Sequence, residues 1–302
     1  MSKLLVTGAS GKLGKQVMHF MLEKFDIQPN QLIATTRDPK KLTKLSELGV
    51  DVRVADFDNP ASLKTAFAGA EKLLLVSVDQ VGRRKEQHTN AVKAAEKAGI
   101  KHIIYTSMPN PETSPVIFAD EHFGTENAIR QSTIPAWTIL RNNWYFENLL
   151  ELQSGILASG KWLTATAQGR MGQISRYDLS LAAAAALGKA GEEKCVLTMS
   201  GEKSLTVDEM AQSINKVIGT TIDVVHLDDE SYKQQMLEFQ MPQELAEMLT
   251  SFEKHNKAGL SDSDHTEFMA LTGVRPMTFV QWLEKNKPSL LQLTKNIQEN
   301  NI

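Results

Sequence analysis

The fold is decided by residues 4–14, which read LLVTGASGKLG. The first letters form a short apolar run typical of a buried strand, and the amphipathic pattern of a helix follows at once over residues 12–24. Three glycines, Gly8, Gly11 and Gly14, therefore stand at a strand–turn–helix junction. Glycines there permit a tight turn and let backbone N–H groups approach phosphates, while the helix N-terminus favours negative charge. The junction predicts a dinucleotide-binding loop.

The glycine spacing is G-x-x-G-x-x-G, which differs from the G-x-G-x-x-G of ordinary dehydrogenases. A nucleotide P-loop needs four residues between its two glycines, then a lysine and a Ser or Thr. Here Lys15 comes one residue too late and Gln16 follows it, so a P-loop is excluded. The G-x-S-x-G turn of serine hydrolases is also absent from this loop. The remaining alternative is a tight turn that binds no ligand.

Further apolar runs alternate with helix-like segments through the first half of the chain. Near-continuous apolar runs are typical of strands buried on both faces, and their alternation with helices predicts right-handed βαβ units. The predicted fold is therefore an α/β doubly wound parallel sheet. The strand-like runs are 4–7, 32–36, 52–55, 72–77, 102–106 and 136–140, and the helix-like segments are 12–24, 39–48, 60–67, 83–98 and 119–131.

The second half of the chain has a more helical pattern. It contains fewer strand candidates, among them Cys195–Met199, and several polar linkers. We expect residues 1–150 to form a dinucleotide-binding domain and residues 151–302 a smaller, substrate-binding α/β portion. The polar tail after Pro288 is expected to fray.

Composition disfavours several classes of protein. The 302 residues carry a net charge of −3, which argues against a nucleic-acid binder that relies on bulk positive charge. No apolar run approaches the roughly 18 residues of a membrane span, and the N-terminus lacks a signal-peptide pattern. Cys195 is the only cysteine and the seven histidines form no metal-binding pair, so neither a disulfide nor a metal site is expected. We expect a cytoplasmic protein that acts on a small molecule.

The residue after the second strand indicates which cofactor binds. In NAD enzymes this residue is usually acidic and accepts hydrogen bonds from the ribose hydroxyl groups. Here Arg37 follows the strand 32–36, with Lys40 and Lys41 nearby, and a guanidinium group suits a 2′-phosphate. We therefore expect NADP(H). NAD(H) remains the alternative, in which Arg37 is a solvated charge paired with Asp38.

The chain lacks the Tyr-x-x-x-Lys pair with which many short-chain dehydrogenases move the hydroxyl proton of an alcohol. None of its four tyrosines has a lysine four positions later. An alcohol–carbonyl mechanism of that type is therefore disfavoured, as are sugar epimerases that depend on the same pair. The tyrosines are Tyr105, Tyr145, Tyr177 and Tyr232, and the residues four positions on are Pro109, Leu149, Leu181 and Met236.

Several short motifs, spread along nearly the whole chain, together carry a resemblance to a known protein family. They are VTGASGKLG at 6–14, TRDP at 36–39, ADF at 55–57, EKLLLVS at 71–77, YTS at 105–107, ADEH at 119–122 with TE at 125–126, LRNNWYFEN at 140–148, and LTG at 271–273 before RP at 275–276. Through these motifs the sequence resembles the NmrA-like atypical short-chain dehydrogenase/reductases, and within them the reductases of quinones and triphenylmethane dyes. The resemblance implies a Rossmann domain followed by a smaller C-terminal substrate domain.

The resemblance also implies how the cofactor is held. The loop at 8–13 would hold the pyrophosphate and Arg37 the adenosine phosphate. Residues 77–79 would line the nicotinamide half, residues 142–147 would cross the cleft beside it, and Gln173 would contribute from the second domain. The implied cofactor-binding residues are Gly8, Ala9, Ser10, Gly11, Lys12, Leu13, Arg37, Ser77, Val78, Asp79, Asn142, Asn143, Trp144, Tyr145, Phe146, Glu147 and Gln173.

His122 stands where relatives often carry the catalytic lysine, and it shares a helix face with Glu126 four positions later. It is a candidate proton donor with a pKa suited to neutral pH, and the alternative is a histidine hydrogen-bonded to the cofactor or to Glu126. Reduction of a quinone needs no strong acid, because the reduced product takes protons from solvent. Placement by Asn142 and Tyr145, through hydrogen bonds to a quinone oxygen, would then suffice.

Phe118, Trp144 and Phe146 are candidates for an aromatic wall against a flat substrate, and core packing explains them equally well. The sequence favours an NADPH-dependent oxidoreductase that transfers hydride to a quinone or a similar flat conjugated acceptor. The alternative is a non-catalytic, NADP-sensing regulator of the NmrA type, because the missing Tyr/Lys pair is compatible with both. A homodimer is compatible with the sequence.

Overall fold

The computed structural model describes residues 3–151, 154–189 and 193–300. Its strands are β1 (Leu4–Val6), β2 (Leu32–Thr36), β3 (Asp51–Val54), β4 (Lys72–Leu75), β5 (His102–Ser107), β6 (Ala136–Asn142), β7 (Lys161–Thr164), β8 (Lys194–Met199) and β9 (Asp223–His226). Its α-helices are α1 (Lys12–Glu23), α2 (Thr43–Glu47), α3 (Pro60–Phe67), α4 (Arg84–Ala98), α5 (Ala119–Gln131), α6 (Asn148–Glu151), α7 (Ser154–Ser159), α8 (Arg176–Lys189), α9 (Val207–Ile218), α10 (Asp229–Glu238), α11 (Gln243–Lys257), α12 (Thr266–Thr272) and α13 (Phe279–Asn300).

Seven strands form one parallel sheet in the order β3-β2-β1-β4-β5-β6-β8. Leu5 of β1 is in register with Ile33 of β2 on one side and with Leu73 of β4 on the other. The strand order reverses between β1 and β4, and open α/β sheets bind ligands beyond the carboxyl ends of the strands at such a point. The predicted doubly wound parallel sheet is confirmed, and the six predicted runs correspond to β1–β6.

Apolar layers cover both faces of the sheet, because alternate strand residues point to opposite faces. Leu5 and Ile33 pack with residues of α3 and α4 on one face, and Val6 and Ala34 pack with α1 and α8 on the other. Helix α8 contributes a run of five buried alanines, residues 182–186. Small side chains let this helix lie close to α1 and to the sheet, so the cleft above β1 has a rigid base.

The second half of the chain contributes to two places. Strand β8 is an edge strand of the main sheet and helix α8 packs against this sheet, although both elements follow residue 150. The division into domains 1–150 and 151–302 stays a prediction. The remaining elements form a smaller unit in which β7 and β9 pair in parallel and α9 and α13 pack around Trp162 and Trp282. Helix α13 extends past Pro288, and Leu290 is buried in the same cluster. Fraying of the tail stays a prediction.

Candidate functional site

A cleft of about 620 Å³ lies beyond the carboxyl ends of the strands, at the reversal between β1 and β4. Its volume is within the usual range for a ligand site. Its lining comes mainly from the carboxyl ends of strands, the turns that follow them and the first turns of helices. The lining residues are Gly8, Ser10, Gly11, Lys12, Leu13, Gly14, Thr35, Thr36, Arg37, Asp38, Lys41, Ala55, Asp56, Phe57, Val76, Ser77, Val78, Asp79, Gln80, Gln87, Thr106, Tyr145 and Arg176.

The glycine loop forms one side of the cleft. Gly8 has a φ of +59°, which favours glycine, and its carbonyl oxygen accepts a hydrogen bond from the Gly11 N–H at 2.9 Å. A Cβ atom at Gly14 would lie 2.3 Å from the same carbonyl oxygen, so only glycine allows α1 to approach the loop this closely. The predicted roles of a tight turn and of close helix–strand packing therefore have a geometric basis at Gly8 and Gly14.

The first turn of α1 presents positive potential to the cleft. Gly11 precedes the helix without a side-chain cap, and the first turn contains no acidic residue. Its backbone N–H groups therefore remain available to an anion, and the helix dipole favours one. The loop is fixed to β2 because Ser10 Oγ and Thr36 Oγ1 are hydrogen-bonded at 2.9 Å and the Ala9 N–H donates to the Thr35 carbonyl. Ala9 itself is fully buried, and its contact with a cofactor stays a prediction.

Arg37 is exposed at the edge of the cleft, beside Lys41. The alternative in which it pairs with Asp38 is not realised, because Arg37 has no ion-pair partner among the described residues. Asp38 instead accepts a hydrogen bond from the Lys40 N–H at 3.1 Å and caps the 3-10 turn Pro39–Leu42. Arg37 and Lys41 thus present two cations to a ligand at this end of the cleft.

The ends of β4 and β5 form the opposite side. The Thr7 hydroxyl donates to the Leu74 carbonyl and accepts from the Val76 N–H at 2.9 Å, which ties β1 to β4. The Ser77 N–H donates to Thr106 Oγ1 at 2.8 Å, which ties β4 to β5. As expected, Ser77, Val78 and Asp79 line the cleft, and Gln80 joins them.

Tyr145 is the member of the predicted 142–147 segment that lines the cleft. Its hydroxyl group is hydrogen-bonded by the Asn142 side chain, and burial raises its pKa above the usual value, so it is protonated at neutral pH. The Arg176 guanidinium lies 5.6 Å from the centre of the Tyr145 ring and also lines the cleft, although no sequence motif indicated it. Asn142 is buried beside the cleft instead of lining it.

The other members of this segment hold the second half of the chain in place. Asn143 donates to the Ser261 carbonyl at 2.9 Å, and the Trp144 indole donates to Asn256 at 2.9 Å. Phe146 packs in the C-terminal cluster with Phe279 and Trp282, and Glu147 accepts from the Arg176 N–H and the Trp282 indole. Direct contact of these four residues with a cofactor stays a prediction.

Three buried amide oxygens in or near the site lack partners in the described part of the chain. They are Gln87 Oε1, whose residue lines the cleft, Asn142 Oδ1 and Gln173 Oε1. Buried polar atoms are normally hydrogen-bonded, so each of these acceptors suits a donor that a ligand or water supplies. Together with the uncapped helix, the glycine loop and the cations at Arg37 and Lys41, they make a site that fits an anionic dinucleotide.

His122 is buried behind the cleft and its Nδ1 is hydrogen-bonded with the Tyr105 hydroxyl at 2.8 Å. Burial, followed by the charge of Arg84 and by His88, lowers its pKa well below the usual value, so the ring is neutral at neutral pH, contrary to the expected pKa. It does not bond Glu126, whose carboxylate accepts from Ser107, Arg130 and Arg141. Its role in proton transfer stays a prediction.

An aromatic cluster does form around Trp144, the neighbour of Tyr145 in the chain, but its members differ from those expected and none of them lines the cleft. Phe118 and Trp144 both pack against Phe252 of α11, with ring centres 5.7 and 4.7 Å apart, and Trp144 also packs edge-on against His255 at 5.2 Å. Phe146 lies in the C-terminal cluster instead. Sequence reasoning missed Phe252 and His255 because they lie more than 100 residues after Trp144 and no motif surrounds them.

The described residues contain no helix with the length and apolar character needed to cross a bilayer. Within the same residues there is also no group of three His, Cys, Asp or Glu side chains that would bind a metal ion.

Comparison with known proteins gives matches along most of the chain. The model of the NmrA-like family matches residues 1–283. Quinone oxidoreductase 2 of Escherichia coli (strain K12) is 35% identical over 264 residues, which cover 87% of this chain and 91% of that protein. The NAD(P)H azoreductase of Xenophilus azovorans is 27% identical over 251 residues, which cover 82% of this chain and 84% of that protein.

Solved structures match the same architecture. The NADPH-dependent quinone oxidoreductase QOR2 of Escherichia coli, complexed with NADPH, has a TM-score of 0.86 and 32% identity, and the match covers 96% of this chain and 99% of that one. The triphenylmethane reductase of Citrobacter sp., complexed with NADP(H), has a TM-score of 0.84 and 32% identity, with 94% and 99% covered. The negative transcriptional regulator Nmra, in complex with NAD, has a TM-score of 0.74 and 16% identity, which shows the fold alone.

Proposed function

Because the chain belongs to the NmrA-like family, we propose that it is an NADPH-dependent oxidoreductase that transfers hydride to a quinone or a similar flat conjugated acceptor. The observation that carries the proposal is Arg37, a cation without an ion-pair partner in the described residues, at the edge of a cleft built around the glycine loop. The relatives at 32–35% identity are named for quinones and triphenylmethane compounds, which supports a flat acceptor.

In this proposal each part of the cofactor meets a part of the cleft with matching chemistry. The N–H groups at the start of α1 would bind the pyrophosphate, and Arg37 with Lys41 would bind the 2′-phosphate. Residues 77–79 and Tyr145 would line the nicotinamide half. The side-chain carbonyl oxygens of Asn142 and Gln173, which have no hydrogen-bond donor among the described residues, would accept hydrogen bonds from the cofactor.

When bound, the reduced nicotinamide supplies the hydride, and the protein supplies placement. Tyr145 keeps its proton, so its hydroxyl group would donate a hydrogen bond to an oxygen atom of the quinone. The hydrogen bond from Asn142 would fix the orientation of that hydroxyl group. The Phe118–Trp144–Phe252 cluster, whose rings pack edge-to-face, provides an apolar surface against which a flat acceptor can pack. His122 stays neutral, and the reduced product takes its protons from solvent.

The test is oxidation of NADPH, followed at its absorbance maximum, with a soluble benzoquinone as acceptor. Steady turnover that needs both protein and quinone supports the proposal, and NADPH should be used in preference to NADH. Saturable NADPH binding without turnover of a panel of quinones and dyes would favour the NADP-sensing regulator instead. The likeness to Nmra, at 16% identity, does not by itself favour that alternative.

We propose three further properties that accompany this function. Residues 1–150 supply most of the cofactor site, with Gln173 and Arg176 added from the second half, and residues 151–302 contribute Phe252 to the acceptor site. The Phe252→Ala variant should therefore weaken binding of the acceptor but not of NADPH. The protein acts in the cytoplasm on a small molecule, and it forms a homodimer. Light scattering after size exclusion tests the dimer directly, and a mass of a single 33.5 kDa chain would exclude it.

A further inference from the structure

The segment of residues 78–82, which we call the β4–α4 loop, forms a wall of the cleft without belonging to a strand or a helix. Val78, Asp79 and Gln80 line the cleft from this loop. Since loop backbone has no sheet or helix ladder to fix it, its position depends on other hydrogen bonds. The β4–α4 loop is therefore a place where cofactor affinity can be set indirectly.

Side chains from behind the cleft hold the loop backbone. His88 Nε2 accepts a hydrogen bond from the Val78 N–H at 3.2 Å, and Arg84 Nε donates to the Val78 carbonyl at 2.8 Å. Glu121 of α5 accepts from the Gly82 N–H and pairs with Arg84 at 3.0 Å. None of these three side chains lines the cleft, so each acts on the loop and not on a ligand directly.

The hydrogen bonds around His88 specify one tautomer. The Val78 N–H can only donate, so Nε2 carries no proton. The Thr125 hydroxyl donates its proton to the Glu121 carbonyl at 2.8 Å, and it therefore accepts from His88 Nδ1 at 3.0 Å. His88 is thus a neutral ring with a proton on Nδ1.

Packing fixes the orientation of both side chains. The His88 ring is fully buried, edge-on to Tyr105 with ring centres 5.4 Å apart. The Arg84 guanidinium lies 5.0 Å from the centre of the Phe118 ring and is only 5% exposed as a residue. Two buried, oriented groups thus hold both polar atoms of one peptide residue, the N–H and the carbonyl of Val78.

We propose that His88 and Arg84 are positioning residues that hold the β4–α4 loop in the form that binds the cofactor. The proposal rests on the proposed function, because it takes NADPH as the ligand of the cleft. When only a fraction of molecules has the competent loop, the apparent dissociation constant rises by the inverse of that fraction. The bound state has the same loop in every variant, so turnover at saturating NADPH should change little.

The deciding variant is His88→Phe, which keeps a buried ring but leaves the Val78 N–H without an acceptor. We expect its Kd and KM for NADPH to rise roughly tenfold, because one unsatisfied hydrogen bond lowers the fraction of molecules whose loop can bind the cofactor. The kcat should stay within about twofold of the wild-type value. His88→Gln returns an acceptor near the position of Nε2 and should recover most of the affinity. Arg84→Met removes the bond to the Val78 carbonyl and should weaken NADPH at least as much.

His102 provides a matched control. It is also buried, and its Nε2 is hydrogen-bonded with Thr138 Oγ1 at 3.0 Å, but it begins β5, at the end of the sheet away from the cleft. The His102→Phe variant should lower Tm to a similar degree while its Kd for NADPH stays within about twofold of the wild-type value. Equal weakening by His102→Phe and His88→Phe would overturn the proposal, because general damage would then explain both.

NADPH binding is measured by fluorescence, independently of turnover. A Kd within twofold of wild type in both His88→Phe and Arg84→Met overturns the inference, and if His88→Phe does not fold, His88→Gln and Arg84→Met decide it. Wild-type protein that binds NADPH but reduces no acceptor refutes the proposed activity and leaves the loop test valid. Wild-type protein that binds no NADPH refutes both.

Discussion

Replacing Arg37 with alanine should reduce the preference for NADPH over NADH without reducing stability. The side chain is exposed and has no ion-pair partner among the described residues, so its removal breaks no intramolecular bond. A hydrogen bond to a charged group contributes about 1.5–3 kcal/mol. Because Lys41 still lines the cleft and keeps part of the positive potential, we expect the lower part of that range.

A loss of about 1.5 kcal/mol corresponds to roughly tenfold weaker binding of NADPH. The Kd for NADH should not change, since NADH has no 2′-phosphate. Arg37→Glu should have a larger effect on NADPH, because it adds repulsion to the lost attraction. The difference between wild type and Arg37→Ala should shrink at high salt, as screening weakens exposed charges.

Both cofactors are titrated by fluorescence at low and at high ionic strength, for wild type and for each variant. Lys40→Ala is the matched control, because Lys40 is an exposed neighbouring cation that does not line the cleft. An unchanged NADPH:NADH ratio in Arg37→Ala refutes the assignment of Arg37 to the 2′-phosphate. An equal loss in Lys40→Ala would mean that overall charge, and not placement, decides the preference.

Further variants test the loop, the chemistry and the buried histidines. Gly11→Val should fold but not bind NADPH, because its branched side chain would fill the space where the pyrophosphate meets the loop; its Cβ would lie 3.2 Å from the Gly8 carbonyl oxygen, so a modest fall in Tm is expected, and normal NADPH titration would contradict the loop assignment. His122→Ala at saturating NADPH should lower turnover by roughly 10²-fold or less and Asn142→Ala by at least as much, whereas a ~10⁴-fold loss in His122→Ala alone would make His122 the proton donor. Burial lowers the pKa of His88 to about 3, so below pH 6.5 the unfolded chain binds more protons than the folded chain. The free energy of unfolding should therefore fall as the pH drops from about 6.5 towards 3. In urea titrations, His88→Phe should make this dependence of unfolding free energy on pH less steep.

Local patterns correctly placed the glycine loop and Arg37 at the cleft, and the role of Arg37 towards a 2′-phosphate stays a prediction. The glycine loop and Arg37 are read from a few adjacent residues, because a strand–turn–helix junction is specified by its own backbone geometry. For the segment 142–147, the local sequence does not predict which side chains line the cleft. Its residues were expected to line the cleft together, yet Asn143 and Phe146 point to partners more than 100 residues later, which only tertiary packing determines.

Residues that no motif surrounds were missed for the same reason. Arg176 lines the cleft because α8 packs on α1, and Phe252 reaches Trp144 because α11 folds back over it. The neutrality of His122 likewise depends on burial and on Arg84, which the spacing to Glu126 does not reveal.

Neighbouring residues within 142–147 contact different parts of the protein, and this has an evolutionary consequence. Tyr145 faces the cofactor cleft, while Asn143 and Trp144 reach loops and helices of the second half. Phe252, which packs against Trp144, lies on a helix that contributes nothing to the glycine loop. Under the proposed function, mutations around Phe252 can therefore change the acceptor while the residues that line the cofactor cleft are inherited unchanged, and one scaffold can come to serve chemically different dyes and quinones.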